Sequence, residues 1–281
     1  MHARIKETIQ QAIADVGADM KAFTIKTTDT VGDVTEQALS ESRESIGTLE
    51  EVAAEITSAS IGAKQQVGVD DTTIIANNVE GTIRGARRLG HSGPVVVKQS
   101  AKGTIKGAAG TKGNISLVTR SVIVGAVIGT RDMTLSAESV AASASEGALM
   151  AIHHAEGDIL QAAKDTVSGA IGAVARSNGQ LAGAISSVTK ANITTALALG
   201  QDPALVAKES VSTAIDKARE LGISADEMAE AAITGALDAA RSIGGATAKK
   251  IVDEVWGTNI GGVKVNTSVA PSKSNLKPRP G

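Results

Sequence analysis

The chain has 281 residues, no cysteine, one phenylalanine (Phe23), one tryptophan (Trp256) and no tyrosine, and its formal net charge at pH 7 is −2. The absence of cysteine excludes disulfides, thiolate metal ligands and a cysteine nucleophile. The longest apolar run, residues 121–129, is about half the length that a membrane-spanning helix requires. The N-terminal sequence MHARIKETIQQ lacks the apolar centre of a secretory signal, so we expect a cytoplasmic protein.

The acidic segment 1–47 is predicted to form a divergent helical cap at the N-terminal end of a repeat array. It follows the repeat only in part, and terminal repeats often diverge because one of their faces meets water. Thr48 and Glu51 have the spacing of a capping box, which predicts a helix that begins after Thr48 and ends near Gly68.

Residues 48–257 are predicted to form a repeat domain with a period of 22 residues. Blocks that begin at residue 59 give nine consecutive units without an insertion. The third position of every unit is a large aliphatic residue, which predicts one buried stripe along the whole domain. These residues are Ile61, Ile83, Ile105, Val127, Leu149, Ile171, Ile193, Ile215 and Leu237.

Each unit also carries a stop signal and a start signal for a helix. Eight of the nine units have glycine at the tenth or eleventh position, where a left-handed residue ends a helix. Seven of the nine have Ser, Asp or Asn at the twelfth position, where the side chain accepts hydrogen bonds from the first turn of the next helix. Each unit therefore predicts one helix of roughly 18 residues followed by a chain reversal. The twelfth-position residues are Asp70, Ser92, Asn114, Ser136, Asp158, Asp202 and Ser224.

A second stripe consists of small residues at the first and fifth positions of the unit. Small residues four apart allow two helix backbones to approach closely, and only the pair Thr213 and Lys217 departs from this pattern. The two stripes predict an all-α fold, an elongated α-solenoid-like stack of antiparallel helices. The glycines predicted to pack helices are Gly81, Gly85, Gly103, Gly107, Gly125, Gly129, Gly147, Gly169 and Gly235.

The C-terminal segment 258–281 is predicted to be a disordered basic tail. It begins within a helix-breaking sequence at 257–261, and its last fourteen residues hold three of the five prolines and no acidic residue.

Charge is unevenly distributed along the chain. Residues 1–80 hold 6 Lys or Arg and 14 Asp or Glu, whereas residues 81–131 hold nine cations and no acid. This basic block either binds an anionic surface, nucleic acid or an acidic partner, or it forms a solvated face that balances the acidic N-terminal third. Self-association through the two oppositely charged segments is a further interpretation. The nine cations are Arg84, Arg87, Arg88, Lys98, Lys102, Lys106, Lys112, Arg120 and Arg131.

The sequence predicts no catalytic residue, no cofactor and no metal site. His153 and His154 are adjacent, whereas histidines that share a metal on a helix are four residues apart. Glu156 and Asp158 leave room only for a weak surface site. Glycine-rich strings such as 81–90 lack the preceding strand of a phosphate-binding loop, and the repeat explains their glycines.

These observations favour a non-catalytic scaffold or assembly protein whose extended surface binds a protein partner or a second copy. The basic block argues for nucleic-acid binding, but aromatic stacking residues are few and the pI is near 6.1. The 22-residue amphipathic period resembles exchangeable apolipoproteins, and the Ala-rich helices resemble phasins of storage granules. These resemblances are compositional and carry no diagnostic motif. They imply the alternative function, a peripheral protein of a lipid or storage-granule surface.

Overall fold

The computed structural model describes residues 2–15, 20–42, 47–63, 70–111, 114–175, 180–256 and 259–264. Within these ranges the chain folds into twelve helices and one small β-hairpin. The helices are α1 (His2–Ala14), α2 (Met20–Glu41), α3 (Gly47–Ala63), α4 (Asp71–Arg88), α5 (Pro94–Gly110), α6 (Ile115–Gly129), α7 (Ala137–His154), α8 (Ile159–Val174), α9 (Leu181–Ala198), α10 (Pro203–Glu220), α11 (Ala225–Ile243) and α12 (Gly245–Val255), and the strands are β1 (Asn259–Ile260) and β2 (Val263–Lys264).

The helices begin and end close to the positions that the cap and stop signals predict. Six of the predicted side chains accept a hydrogen bond from a backbone N–H in the first turn of the next helix. At the other end of the helices, Gly90, Gly200, Gly222 and Gly244 adopt positive φ values between 69° and 82°. The six capping residues are Asp70, Asn114, Ser136, Asp158, Asp202 and Ser224.

Two predicted caps are wrong. The predicted cap Ser92 lies one residue too early, because Pro94 occupies the first turn and Gly93, with φ of 97°, precedes it as the cap residue. Helix α3 already includes Gly47, so Thr48 lies inside the helix, and its hydroxyl lies 2.8 Å from that of Ser42.

One predicted stop also differs from the structure. Glu156, and not Gly157, takes the left-handed conformation after α7, with φ of 55°. Gly157 is needed for a different reason, because a Cβ there would lie 2.8 Å from the Ile152 side chain. The predicted stops Gly68, Gly113 and Gly179 lie outside the described residues.

The helices form two layers, one of even-numbered and one of odd-numbered helices. For most of the stack the most extensive contact of a helix is with the helix two places away in the chain, within the same layer. Gly125 and Gly129 of α6 face Ala76 and Glu80 of α4, so helices within a layer are parallel and consecutive helices run in opposite directions. The all-helical stack that the repeat predicts is therefore confirmed.

The core lies between the layers and follows the aliphatic stripe. All nine third-position aliphatics are buried: eight are no more than 5% exposed, and the ninth, Ile61, is 8% exposed. One continuous cluster runs from α2 to the hairpin. A second cluster at the N-terminal end includes Phe23, Ile9, Ile56 and Ile74.

The predicted disordered tail does not begin at residue 258. Residues 259–264 form an antiparallel hairpin in which Ile260 is buried and pairs with Val263. Gly261 and Gly262 both have positive φ, which a tight two-residue hairpin turn requires. Residues 265–281 of the predicted tail lie outside the described residues.

Candidate interaction surface

The basic block 81–131 does not form a single patch. Its arginines belong to α4, to α6 and to the turn after α6, all in the even layer. The lysines Lys98, Lys102 and Lys106 lie on α5, in the odd layer. Lys112 lies outside the described residues. The structure therefore divides the eight described cations between the two layers of the stack.

In the even layer, arginines face acidic residues of neighbouring helices. The Arg88 guanidinium lies 2.6 Å from Asp33 and 3.4 Å from Glu36, both on α2. The hydrogen bond to Asp33 is the main cause that raises the pKa of Arg88. Arg120 of α6 lies 3.5 Å from the carboxylate of Asp165, which α8 provides.

The lysines of α5 reach acidic residues on both sides within the odd layer. Lys102 and Lys106 lie 2.8 Å and 3.5 Å from the two carboxylate oxygens of Glu50 on α3. Lys98 lies 2.7 Å from Glu146 on α7. The acidic partners of Arg88, Lys102 and Lys106 all come from the acidic N-terminal third. These pairs favour the interpretation that the block balances that third of the chain.

Glu80 is a buried acidic partner of the block. Its residue is 7% exposed, and its carboxylate lies 2.6 Å from the guanidinium of Arg84 within α4. Burial raises the pKa of Glu80, while the positive charges of Arg84 and Arg131 act in the opposite direction. The native state therefore holds the proton of Glu80 to a higher pH than the unfolded chain does.

This shift gives a pH-dependent prediction for Glu80→Gln. The contribution of a raised carboxyl pKa is present below the ordinary pKa and is lost as pH rises through the native-state value. Glutamine resembles the protonated glutamate side chain and does not titrate. The melting temperature of the variant, relative to that of the wild type, should therefore increase as pH rises from about 4 towards neutrality. Thermal unfolding of both proteins across this range checks the result. A difference that stays constant or falls with pH would contradict it.

The two adjacent histidines lie at the C-terminal end of α7. His154 is exposed, and its Nδ1 lies 2.6 Å from the carbonyl oxygen of Met150 in its own helix. The His153 and His154 rings lie 6.2 Å apart at an angle of 71°. Across the described part of the chain, no three His, Asp or Glu side chains are grouped in a way that could hold a metal ion.

The outer side of the even layer contains two adjacent hollows that sequence reasoning did not find. The first, of about 380 Å³, is bordered by α6, α8 and α10, and the second, of about 320 Å³, by α4, α6, α8 and α10. Arg120, Ser168 and Lys217 line both of them. We call the two hollows together the even-layer trough. The sequence feature that could have indicated these hollows is the departure of Thr213 and Lys217 from the small-residue stripe.

Ion pairs join the parallel helices of the even layer. Lys164 of α8 lies 2.7 Å from Glu209 of α10, and this hydrogen bond is the main cause that raises the pKa of Lys164. Lys208 of α10 lies 3.4 Å from Glu254 of α12. Together with Arg120 and Asp165, these pairs form a ladder that links four successive helices of the even layer.

The chain matches no protein-family model, and no curated protein is detectably similar to it in sequence. In the described ranges, none of the helices combines the length and the apolar character that crossing a bilayer requires.

Proposed function

We propose that the protein is a non-catalytic scaffold or assembly subunit that binds a protein partner, or a second copy of itself, through the extended surface of its helix stack. The observation that supports this most is the close approach of parallel helices within each layer. A Cβ on Gly125 would lie only 2.5 Å from the carbonyl oxygen of Ala76, and a Cβ on Gly169 only 2.9 Å from that of Arg120.

Such backbone-to-backbone packing leaves little freedom for the helices to move against one another. It builds a stiff surface that runs across many helices, which is the property that repeat proteins use for binding. We place the protein in the cytoplasm, with no cofactor and no small-molecule substrate.

The alternative is a peripheral protein of a lipid or granule surface. Its apolar side chains would have to leave the core, because the large exposed ones in the described ranges are dispersed over four helices and one turn. They are Ile25, Val95, Leu197, Leu205 and Leu221. Membrane-surface helices instead present one continuous apolar face with rings and leucines. The structure therefore favours the scaffold.

Two measurements on the full chain test the proposal. The first is cross-linking in cell extract followed by mass spectrometry, which should give a defined protein partner, or a second copy, linked to residues on the helix faces. The second is flotation with vesicles of anionic phospholipid, in which the protein should stay unbound at low salt. Flotation at low salt, together with loss of hydrogen-exchange protection in the helices, would favour the lipid-surface function and contradict the scaffold.

A further inference from the structure

Helix α12 covers only part of the helix beside it. It comprises 11 residues, whereas α10, its parallel neighbour in the even layer, comprises 18. Lys250 of α12 lies 2.8 Å from Asp202, the cap residue of α10, and Glu254 lies 3.4 Å from Lys208. These pairs align α12 with the N-terminal half of α10, so the C-terminal half of α10 extends beyond it.

The C-terminal hairpin covers the half of α10 that α12 does not reach. Strand β1 contacts α10, and strand β2 contacts α11. At the hairpin turn, a Cβ on Gly261 would lie 3.1 Å from Cγ2 of Ile215 and 3.6 Å from the guanidinium of Arg219. Ile260 is 6% exposed and belongs to the main core cluster. The hairpin is therefore a part of the core.

The hairpin turn keeps the register of the repeat. Within the even layer, a Cβ on Gly129 of α6 would lie 3.5 Å from the Cβ of Ile83 on α4. Gly261 lies over Ile215 in the same way, and the two pairs have the same spacing along the chain. Ile83 and Ile215 are both third-position aliphatics, and both are fully buried. The hairpin thus occupies the place that the second half of a helix occupies in earlier units.

The hairpin does not continue the layer as a helix would. A helix in this place would present a further flank on which the next helix of the layer packs. In the hairpin, Asn259, Gly261 and Gly262 are exposed and carry no aliphatic side chain that could form such a flank. Terminal units of a repeat stack require an outer side of this kind, because an open end exposes apolar surface to water.

The surface beneath the hairpin is suited to packing against its own kind. Ile215 is fully buried, and so are Ala214 beside it and Ala218 one turn further along α10. Without the hairpin, this aliphatic side chain and its small neighbours would be exposed. Small residues allow close approach of two helices, and a second copy in the same state exposes the identical surface. Two copies can therefore bury these surfaces against each other about a two-fold axis.

We propose that the C-terminal hairpin is an end cap that covers a self-association surface on the C-terminal half of α10, and that two copies of the chain join through this surface when the hairpin is displaced. The capped form ends the stack within one molecule, and the uncapped form extends it across two. This cap deepens the scaffold function and rests on its second-copy form, because it names the surface that a second copy uses and the element that controls access to it.

The hairpin can leave the core without unfolding a helix. Its two strands have two residues each, and the ladder consists of Asn259 with Lys264 and Ile260 with Val263. A two-stranded hairpin is marginally stable by itself in water, so this one depends on its contacts with α10 and α11. Loss of those contacts is therefore sufficient to displace it.

The test substitution is Ile260→Asp in the full chain, because a carboxylate at this buried position detaches the hairpin. Asn259→Asp is the matched control, since it adds the same charge at the neighbouring, exposed position of the same strand. Trp256 is the only tryptophan, is partly buried against the main cluster and lies three residues before β1. Its fluorescence emission should shift to the red in Ile260→Asp and stay unchanged in Asn259→Asp.

Sedimentation velocity over a range of concentrations measures the association. Ile260→Asp should form a species of about twice the wild-type mass as concentration rises, with unchanged helix content, and Asn259→Asp should sediment like the wild type. Hydrogen exchange locates the contact. Residues 214–220 should exchange at least about tenfold faster in diluted Ile260→Asp than in the wild type, and should regain protection at high concentration.

If Ile260→Asp loses helix content, Ile260→Ala provides the second test, because it removes the apolar contact without adding a charge. It should associate in the same way at higher concentration. Three results would overturn the proposal: emission and exchange that stay unchanged in both Ile260 variants, detachment of the hairpin without association, or association without regained protection of residues 214–220. The scaffold function is tested separately, because cross-links to a protein partner would leave it standing when the Ile260 variants do not associate.

Discussion

Gly107→Ala should destabilise the protein by about 3 kcal/mol, although it adds only one methyl group. The new Cβ would overlap the carbonyl group of Ala54, which belongs to the backbone of α3 and cannot rotate away as a side chain would. Helices α3 and α5 would have to separate along their contact. Thermal unfolding followed by circular dichroism checks the result, and the melting temperature should fall by several degrees.

Gly172→Ala is the matched control for this substitution. Gly172 also lies within a helix, α8, but a Cβ there would meet no other atom within 4 Å. Alanine favours the helical conformation over glycine by about 1 kcal/mol, so this variant should be equally or more stable. Equal or greater stability of both variants would show that helix propensity, and not close packing of helices, governs the glycine stripe.

Phe23→Ala should unfold the N-terminal end of the stack and leave the rest folded. Phe23 is fully buried in the second core cluster, and removal of a buried phenylalanine side chain costs about 4 kcal/mol. In a stack where each helix contacts only near neighbours, such a loss remains local. Hydrogen exchange measured by mass spectrometry should show lost protection in α1–α3 and unchanged protection in α8–α10.

Ile171→Ala provides the comparison for the local effect. Ile171 is equally buried but lies in the main cluster, with helices on both sides of it. In Ile171→Ala, the loss of hydrogen-exchange protection should be greatest in α8 and should extend to the helices on both sides of it. Loss of protection over the whole chain after Phe23→Ala would indicate a single cooperative core and contradict the division into two clusters.

Much of the fold is encoded in short-range signals that a single sequence displays. Asp202 followed by Pro203 starts α10, and Gly200 and Gly222 end helices at the positions that the pattern predicts. The third-position aliphatics are predicted as core because burial follows the helical period. These signals involve residues that are close together in the chain. They can therefore be recognised without knowing the long-range contacts of the fold and without related sequences.

The pairing of helices is not encoded in the same way. The glycine stripe indicates that each helix has a close neighbour, but not that this neighbour is two helices away in the chain. For this reason the sequence suggested one basic block, whereas the structure separates Arg120 from Lys98 by layer. The sequence does not reveal the trough, because the departure of Thr213 and Lys217 from the small-residue stripe acquires a meaning only when α8 lies beside them in the folded chain.

The central claim, that the chain reverses at each glycine and cap and packs parallel helices within layers, is tested most directly by a distance between α5 and α7. The protein has no cysteine, so spin labels at Lys98→Cys and Glu146→Cys report one pair only. These side chains lie 2.7 Å apart at their charged ends. Double electron–electron resonance should therefore give a distance below about 20 Å, because side chains in contact lie within about one or two helix diameters. A continuous helix through the glycines would place the labels about 70 Å apart, and such a value would contradict the account.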